Sequence, residues 1–464
     1  MRKRSSLTSG NIKRRDFLKG AASFSALTFL PNAHVKAAPG KTAPSDKVNL
    51  ALVGIGGRGG SLAKTFDTTG MVNVVALCDV AMGSGTTAGI EKRFPKAEKF
   101  WDFRKMFDKV ADKIDGAQVA VPDHMHFPIC MLAMSLGKGV YVEKPLAHTF
   151  QEVELLMKAE KKYNVSCQMG NQGHSGYNYI QFEAWVKAGV IKNIHRIDAF
   201  MNKPRRWHGW KITGWPTGET KPDTLDWDLW LGPRPYHEYS SKLHPGNWRS
   251  WYLFGNGAFG DWGPHTLDTA HRFLKLGLPT ETVAVKRDGP NEWIFPQAST
   301  IAFKFPARGP EMPACTITWY DGTKNLPPRP KELGEKRRMD ACGKIIYSTD
   351  GLVFKGGTHS STLRIIPEAK MREMASKLPK TTEKHTSHAK NFLLGLQGKE
   401  KTRSSFDVSG PLTQVFLLGV IAQRLGGTLK FDPKTRQITN NAAANQLLVG
   451  PPPRKGWEEF YKLA

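Results

Sequence analysis

The fold is decided by the stretch Val48-Asn49-Leu50-Ala51-Leu52-Val53-Gly54-Ile55-Gly56-Gly57-Arg58-Gly59-Gly60. Its first six residues are typical of a buried β-strand, and a helix running through Phe66 follows the glycines. Between a strand and a helix, G-x-G-x-x-G is the turn that receives the pyrophosphate of a dinucleotide. The first glycine permits the tight turn, the second lets the backbone approach the phosphates, and the third lets the helix pack on the strand. We therefore expect cofactor contacts from Gly54, Gly56, Gly57, Arg58 and Gly59.

An acidic residue ends the next predicted strand. Residues 72–78 are apolar except for Asn73, and they are followed by Asp79, twenty residues after Gly59. A carboxylate at this place can bind the 2′-hydroxyl of the adenosine ribose, and it would repel a 2′-phosphate. The sequence therefore predicts NAD as the cofactor, with NADP disfavoured.

Strands and helices continue to alternate up to residue 169. Helices are predicted near 86–94, over Phe103–Val110, up to Leu136 and from a capping box at Thr149 to Tyr163, and strands over 117–121, Gly139–Val142 and 165–169. Such alternation predicts a parallel sheet with helices on both faces.

Residues 122–126 are predicted to form a loop at the end of one of these strands. Asp123, His124 and His126 could ligate a metal, but no further cluster of ligands lies nearby in the sequence, so we predict no metal. We favour a loop that lines the nicotinamide half of the cleft, with Pro122 and His126 against the cofactor.

The run Gly139-Val140-Tyr141-Val142-Glu143-Lys144-Pro145 ends a buried strand with an acid, a base and a proline. Ligands of open α/β sheets bind at the carboxyl ends of the strands. Glu143 is therefore expected at the cofactor, and Lys144 at both the cofactor and a substrate oxygen. A lysine that merely extends into solvent is the alternative. The Lys144–Pro145 bond is a candidate for the cis form.

The second half of the chain begins with the polar loop 170–175, in which we expect Asn171 to contact the cofactor and His174 the substrate. A histidine satisfied within the loop is an equal alternative for His174. After a helix over 177–188, strands are predicted over Ile194–Met201, 282–286, 300–305, 315–319 and 344–348, enough for a large open mixed or antiparallel sheet.

Eight of the thirteen tryptophans lie between Trp207 and Trp262. Most are expected to anchor a long irregular insertion, and one or two to stack on a sugar ring, with Trp262 the strongest candidate.

Gly260-Asp261-Trp262-Gly263-Pro264-His265 carries the predicted chemistry. Pro264 suits the first turn of a helix running to Leu276. Removal of hydride from a secondary alcohol needs a base for the hydroxyl proton, and histidine titrates in the right range. We predict His265 as that base, Asp261 as the residue that orients its ring or holds another hydroxyl, and Lys144 as the residue that stabilises the alkoxide. Asp261 and His265 would also contact substrate; a solvent-capped helix histidine is the alternative for His265.

Taken together, these motifs resemble the glucose–fructose oxidoreductase / inositol dehydrogenase / MocA (Gfo/Idh/MocA) family. The C-terminal segments Arg424-Leu425-Gly426, Phe431-Asp432-Pro433 and Gly450-Pro451-Pro452-Pro453-Arg454-Lys455-Gly456-Trp457 are similar to those of its bacterial exported branch. The resemblance implies a Rossmann domain over 47–170 and an α+β domain over 171–464 that binds substrate and forms a homo-oligomer through its sheet. It also implies an NAD(P)-dependent oxidoreductase acting on a secondary hydroxyl of a sugar or polyol.

The N-terminus is interpreted as a processing signal. Residues 1–38 contain Lys13-Arg14-Arg15-Asp16-Phe17-Leu18-Lys19, a short apolar run and a small-residue site, which resembles a twin-arginine export signal. The apolar run is too short to span a bilayer, so no stable membrane anchor is predicted. We therefore expect an exported, periplasmic protein that keeps its NAD bound.

Charge and cysteine content exclude some other classes of protein. The net charge is +26, and residues 1–37 carry eight Lys/Arg and one Asp, which leaves +26 − 7 = +19 for the mature chain. No arginine-rich arm or nucleic-acid module accompanies this charge, so nucleic acid is not a predicted partner. The five cysteines form no C-x-x-C pair, so they suggest neither a disulfide framework nor a zinc site.

Two alternative functions remain: a glycosidase that oxidises and re-reduces one sugar on the same NAD, and a non-catalytic sugar- or nucleotide-binding protein.

Overall fold

Two β-sheets organise the protein. A computed structural model describes residues 46–202 and 211–463. The first sheet is wholly parallel, with the strand order β3-β2-β1-β4-β5-β6. Its strands are β1 Val48–Val53, β2 Val72–Cys78, β3 Glu98–Phe100, β4 Gly116–Val119, β5 Gly139–Val142 and β6 Cys167–Met169. This order belongs to the Rossmann dinucleotide-binding fold.

The glycine-rich turn after β1 has the conformation that the sequence requires. Gly54 has a φ of +77°, in the region that favours glycine. A Cβ on Gly59 would stand 1.9 Å from the carbonyl oxygen of Gly54, so only glycine allows the following helix to pack this closely.

Helices cover both faces of this sheet. They are α1 Gly57–Thr68, α2 Ala88–Arg93, α3 Phe103–Val110, α4 Asp123–Ser135 and α5 Phe150–Tyr163. The capping box between Thr149 and Glu152 is present at the start of α5. The predicted loop over 122–126 is wrong, because α4 already begins at Asp123. Pro128 lies inside this helix, and a proline early in a helical pattern argues against an earlier start.

The second sheet is mixed, with the order β13-β12-β11-β7-β10-β9-β8-β14-β15 and a parallel pair between β7 and β10. Its strands are β7 Ile194–Met201, β8 Glu281–Asp288, β9 Ala298–Phe305, β10 Cys315–Gly322, β11 Cys342–Ser348, β12 Val353–Gly356, β13 Arg364–Ile366, β14 Thr428–Asp432 and β15 Gln437–Ile438. A Rossmann sheet followed by a large mixed sheet confirms the predicted fold class.

The remaining helices follow β6. They are α6 Tyr177–Lys187, α7 Trp227–Leu231, α8 Gly257–Thr266, α9 Asp268–Phe273, α10 Glu368–Glu373, α11 His388–Leu396, α12 Phe406–Leu425 and α13 Ala442–Val449. The single helix predicted from Pro264 to Leu276 is wrong. The chain instead forms α8 and α9, and Pro264 lies near the end of α8. Asp261 and His265 are therefore one turn apart on the same helix.

The aromatic insertion before α8 has a hydrophobic core of its own. Trp227, Trp230, Trp248 and Trp251 are buried there, around the short helix α7. Trp215 is 37% exposed and stacks on Trp251 at 5.0 Å. Most of the described tryptophans thus anchor the insertion, as expected. Trp207 and Trp210 lie outside the described residues, as do residues 1–38 with the predicted signal.

C-terminal segments return to the first sheet. In α11, Phe392 packs on Phe66 and Tyr141, and near the C-terminus Trp457 and Phe460 pack on Phe103. α11 and the segment with Trp457 and Phe460 therefore add to the helical layers around the Rossmann sheet. Among the described residues, no helix is both long enough and apolar enough to cross a bilayer.

Candidate active site

Lys144 and Asp261 meet at the carboxyl edge of the first sheet. Lys144 follows β5, and the Lys144–Pro145 bond is cis. Its ammonium donates to Asp261 Oδ1 at 2.7 Å and to the Asp261 backbone carbonyl at 3.1 Å. The two side chains are 16% and 12% exposed, so the pair is shielded but accessible. The structure thus brings together two of the three predicted catalytic residues.

Arg58 joins the glycine-rich turn to this strand end. Its Nε donates to Glu143 Oε1 at 2.9 Å, and a terminal guanidinium nitrogen lies 2.8 Å from the same oxygen. Glu143 is buried, whereas Arg58 is partly exposed. Two residues that are predicted to contact the cofactor therefore lie directly beside Lys144, the predicted catalytic lysine.

Asp79 holds the glycine-rich turn through its carboxylate. Its Oδ2 accepts the backbone N–H groups of Ile55 at 2.9 Å and Gly56 at 3.3 Å, and its Oδ1 accepts from Ala81 at 2.9 Å. Burial raises the pKa of this carboxyl, while the three backbone N–H groups act in the opposite direction. These hydrogen bonds therefore fix the position of the Asp79 carboxylate, and they also stabilise the conformation of the glycine-rich turn.

A cavity of about 410 Å³ opens in front of the turn. Its wall includes Gly54, Gly56, Gly57, Asp79, Pro122 and Trp248. A Cβ on Gly57 would meet no atom within 4 Å, and a Cβ on Gly56 would meet its nearest neighbour only at 3.5 Å. The backbone of the turn is thus open to the cavity, whose volume lies in the range of small-molecule sites. These residues fit NAD: the turn and the N-terminus of α1 would hold the pyrophosphate, and Asp79 the ribose.

His265 lies one turn after Asp261 in α8 and is 8% exposed. Its ring stacks on His359 at 3.9 Å, and its backbone carbonyl accepts the His359 N–H at 3.1 Å. Burial, followed by the charge of Lys144, holds the pKa of His265 well below the ordinary value, so the ring is neutral. A neutral imidazole can accept a proton.

The expected orientation of the His265 ring by Asp261 is not seen. Among the described residues, Nδ1 of His265 has no hydrogen-bond partner, and the Asp261 carboxylate accepts from Lys144. The neighbours that fix the ring are His359 and Trp262, whose ring centroid lies 6.3 Å away. His359 was missed in the sequence, where it is an isolated histidine in a polar glycine-containing loop.

His174 and Asn171 belong to a buried polar network. Nδ1 of His174 lies 2.8 Å from Asp268 Oδ1, and the Asn171 amide donates to Asp268 Oδ2 at 2.9 Å. The Asn171 carbonyl accepts from Ser404 at 2.7 Å. Both residues are almost fully buried. Nδ1 of His174 is held within this network, whereas its buried Nε2 has no hydrogen-bond partner among the described residues, so both interpretations of His174 stay open. The Asn171 amide donates within the same network.

Pro122 lines the larger cavity, whereas His126 is not among the residues of its wall. The two ring nitrogens of His126 lie 2.8 Å from the Pro145 carbonyl and 3.0 Å from the Val121 carbonyl. Its predicted direct contact with the cofactor is therefore replaced by a structural role, in which it ties α4 to the turn after Lys144. The ring nitrogens of His124 also lie at backbone carbonyls, those of Phe254 and Trp230.

Asp123 and Arg249 complete the polar site. With Arg58, Glu143, Lys144 and Asp261 they line a small cavity of about 50 Å³ that adjoins the larger one. The Arg249 guanidinium lies over the Trp248 ring at 4.2 Å. Nothing in the sequence marks Arg249 among the 67 basic residues. Asp123 is there a possible metal ligand and, after His265 and Lys144, a further candidate for activating the hydroxyl.

This geometry defines a dinucleotide-binding protein with an ion-paired lysine at the carboxyl edge of its Rossmann sheet. Residues 48–171 match the GFO_IDH_MocA family, described as "Oxidoreductase family, NAD-binding Rossmann fold", and residues 193–299 match its "C-terminal alpha/beta domain". The chain belongs to the Gfo/Idh/MocA oxidoreductase family. The family's NAD-binding fold confirms the predicted cofactor.

Curated relatives match part of the chain. A glycosyl hydrolase family 109 protein of Solibacter usitatus is 29% identical over 171 residues, 35% of this chain and 39% of that protein. A protein of the same description from Shewanella pealeana is 26% identical over 217 residues, 42% of this chain and 47% of that protein. The chain thus spans less than half the length of these relatives.

Solved structures show the same fold over most of the chain. The WlbA dehydrogenase of Chromobacterium violaceum, in complex with NADH and UDP-GlcNAcA, has a TM-score of 0.55 at 12% identity and covers 85% of this chain and 98% of its own. The aldose–aldose oxidoreductase of Caulobacter crescentus, complexed with glycerol, has a TM-score of 0.51 at 14% identity over 83% of this chain and 100% of its own.

Proposed function

We propose that the protein is an NAD-dependent oxidoreductase that acts on a secondary hydroxyl of a sugar, a sugar derivative or a polyol. The observation that carries the proposal is the Lys144–Asp261 pair at 2.7 Å, beside a cavity walled by the glycine-rich turn and Asp79. Two proteins of the same fold support the carbohydrate class: the WlbA dehydrogenase is in complex with UDP-GlcNAcA, and the other is named an aldose–aldose oxidoreductase.

Three side chains would share the work on one hydroxyl. The Lys144 ammonium, held by Asp261, donates a hydrogen bond to the substrate oxygen and stabilises the negative charge that develops there. The neutral His265 ring is available to withdraw the hydroxyl proton. NAD supplies the hydride acceptor. Because Lys144 follows β5 and the other two residues lie on α8, the site forms only where the two sheets are docked.

A second candidate is a glycosidase that oxidises, eliminates, hydrates and re-reduces one sugar on the same NAD. The curated relatives named glycosyl hydrolase family 109 favour it. Two proteins of the same fold are named as a dehydrogenase and an oxidoreductase, which favours net oxidation. Lys144 fits both candidates, because each begins with the oxidation of a hydroxyl on which negative charge develops. A non-catalytic sugar- or nucleotide-binding protein would not need a partly buried ion pair at this position, since such a pair carries a desolvation cost.

Purified protein incubated with candidate sugars and glycosides separates the candidates. A persisting absorbance band of reduced nicotinamide indicates a dehydrogenase, and release of the aglycone without net reduction indicates a glycosidase. If protein that is shown to contain NAD gives neither signal with any sugar, both candidate functions are contradicted.

The roles of the side chains are tested by single-turnover reduction of bound NAD. We expect His265→Ala to lower turnover by roughly two to four orders of magnitude while NAD stays bound. Lys144→Ala should also cripple turnover, and Lys144→Arg should not restore it, because a planar guanidinium on a longer stem cannot occupy the place of the ammonium. Near-normal reduction by both alanine variants would show that the hydroxyl is activated elsewhere.

Export and assembly are part of the proposal. Free NAD is expected to be scarce outside the cytoplasm, so an exported enzyme would keep its cofactor and recycle it in place. The resemblance of residues 1–38 to a twin-arginine signal supports export to the periplasm, because that route carries folded proteins. A homo-oligomer formed through the second sheet is proposed on the family resemblance alone.

A further inference from the structure

Asp123 is a buried carboxyl at the junction of two helices that bear on the site. It is the first residue of α4 and is 7% exposed. Its Oδ2 accepts the backbone N–H of Asn256 at 3.0 Å, and Asn256 directly precedes α8, the helix of Asp261 and His265. This bond therefore fixes Asp123 relative to the catalytic helix.

Five charged groups from four elements face Asp123 across the small cavity of about 50 Å³. They are Arg58 of α1, Glu143 and Lys144 after β5, Arg249 of the aromatic insertion, and Asp261 of α8. On its own helix, His124 and His126 turn their ring nitrogens to backbone carbonyls. Among the described residues, the wall of this cavity thus holds three cations and two other carboxylates, and the ionisation of Asp123 decides whether the charges of this set balance.

The chemistry of the proposed oxidation requires a place for one proton. Lys144 already donates to two oxygens of Asp261. His265 can withdraw the proton, but it is a poor place to keep it, because burial and the charge of Lys144 disfavour the imidazolium. At Asp123 burial acts in the opposite direction: it raises the pKa to about 7, although Arg249 and Lys144 lower it. A protonated carboxyl removes a charge from the low-dielectric site, whereas a protonated His265 would add one.

We propose that Asp123 takes up the hydroxyl proton when the substrate is oxidised, and holds it until the bound cofactor gives its hydride to a second substrate. In the first half-reaction the substrate C–H bond delivers a hydride to NAD, the O–H bond breaks, a C=O bond forms, and the Asp123 carboxylate becomes a carboxylic acid. In the second half-reaction the same proton returns to the oxygen of the carbonyl that is reduced. The inference rests on the proposed function, and it makes Asp123 the proton store of an enzyme whose NAD does not exchange.

The test needs no substrate. The protein is loaded with NADH in one sample and with NAD in the other, near pH 6.5, and the infrared difference spectrum between the two samples is recorded. A pH indicator in weak buffer measures how many more protons the protein takes up when it is loaded with NADH than when it is loaded with NAD. Hydride addition removes the positive charge of the nicotinamide ring, so the wild type should show a protonated-carboxyl band and an uptake approaching one proton. Asp123→Asn keeps an oxygen for the Asn256 N–H and should lose both signals.

Glu160→Gln is the matched control. Glu160 is a second carboxyl whose burial raises its pKa to about 7, but its partners are the backbone N–H groups of Phe406 and Asp407, outside the site. This variant should keep the band and the uptake. Absence of both signals in the wild type, or their survival in Asp123→Asn, would overturn the proposal. A failure of every sugar to reduce the bound NAD would instead count against the proposed function.

Discussion

At the scale of the residue, Asp79 uses one carboxylate for two tasks. It accepts the N–H groups of Ile55 and Gly56, and it faces the cavity where the adenosine ribose is expected. We expect Asp79→Ala to weaken the binding of NAD and to reduce the difference in affinity between NAD and NADP. The reason is that the ribose loses its hydrogen-bond acceptor and a 2′-phosphate is no longer repelled. Asp79→Asn keeps an oxygen for the turn, so it should narrow the gap with a smaller loss of NAD affinity.

Fluorescence titrations of the two cofactors measure this selectivity. Asp102→Asn is the control, since Asp102 lines the same cavity but caps α3 through the Arg104 N–H. The ratio of the two affinities should stay near the wild-type value in this variant. Equal ratios in wild type and Asp79→Ala would contradict the assignment of Asp79 to the ribose.

The raised pKa of Asp123 also predicts how the free energy of unfolding changes with pH. Its carboxyl has a pKa of about 7 in the folded protein, raised mainly by burial, and about 3.9 when unfolded. The folded state therefore binds more protons between these two values, so stability from this group is complete below pH 4 and falls as pH rises toward 7. The limiting loss is on the order of 4 kcal/mol.

We expect Asp123→Asn to flatten this decline. The measurement is the free energy of unfolding by urea from pH 4 to pH 8, compared with wild type. Glu160 titrates in the same window, so the difference between wild type and the Asp123 variant, rather than the wild-type curve alone, carries the information. Parallel curves for the two proteins would mean that Asp123 ionises normally.

At the scale of the element, one buried ion pair joins the two halves of the chain. Arg234 of the aromatic insertion donates to Glu152 Oε1 at 3.1 Å and to His148 Nδ1 at 3.0 Å, and both charged side chains are 1% exposed. Glu152 also caps α5 and accepts the hydroxyl of Tyr461 at 2.8 Å. Removing the arginine would leave a buried carboxylate without its cation.

We expect Arg234→Met to destabilise the protein by about 3 to 5 kcal/mol, the usual cost of breaking a buried pair. Lys187→Met removes a partner of Glu183 in an exposed pair, where Lys187 is 73% exposed, and should cost at most about 1 kcal/mol. Denaturant unfolding measures both changes. A similar cost for the two variants would show that the Arg234 pair is not a structural joint.

The same scale shows what the sequence can reveal. Strand ends and helix caps are local, so β5 with Lys144 and the capping box at Thr149 were predictable from a few neighbouring residues. The start of α4 was not, because Pro128 gives a local signal that opposes a helix already begun at Asp123. Arg249 and His359 were missed because their approach to the site depends on how the insertion and the loop after β12 fold back, which no local pattern encodes.

At the scale of the whole molecule, the C-terminal segments hold the cofactor domain together. Trp457 and Phe460 pack on Phe103 of α3, whose Asp102 cap lines the cofactor cavity. We expect removal of residues 451–464 to expose this apolar surface and to weaken the binding of NAD, because a loosened α3 no longer shapes the cavity wall. Thermal unfolding with and without NAD measures the effect. Stabilisation by NAD equal to that of the full chain would contradict the link.

The proposed export depends on Arg14 and Arg15. If the signal is read through this arginine pair, Arg14→Lys with Arg15→Lys should leave the precursor in the cytoplasm although its charge is unchanged. Arg2→Lys with Arg4→Lys makes the same number of identical replacements in the same segment and should be exported normally. Immunoblots of periplasmic and cytoplasmic fractions, combined with the NAD content of the exported protein, provide the measurement. Normal export of the Arg14/Arg15 variant would show that the segment acts by charge or by another route. Exported protein without NAD would remove the reason for proposing that the enzyme crosses the membrane already folded around its cofactor.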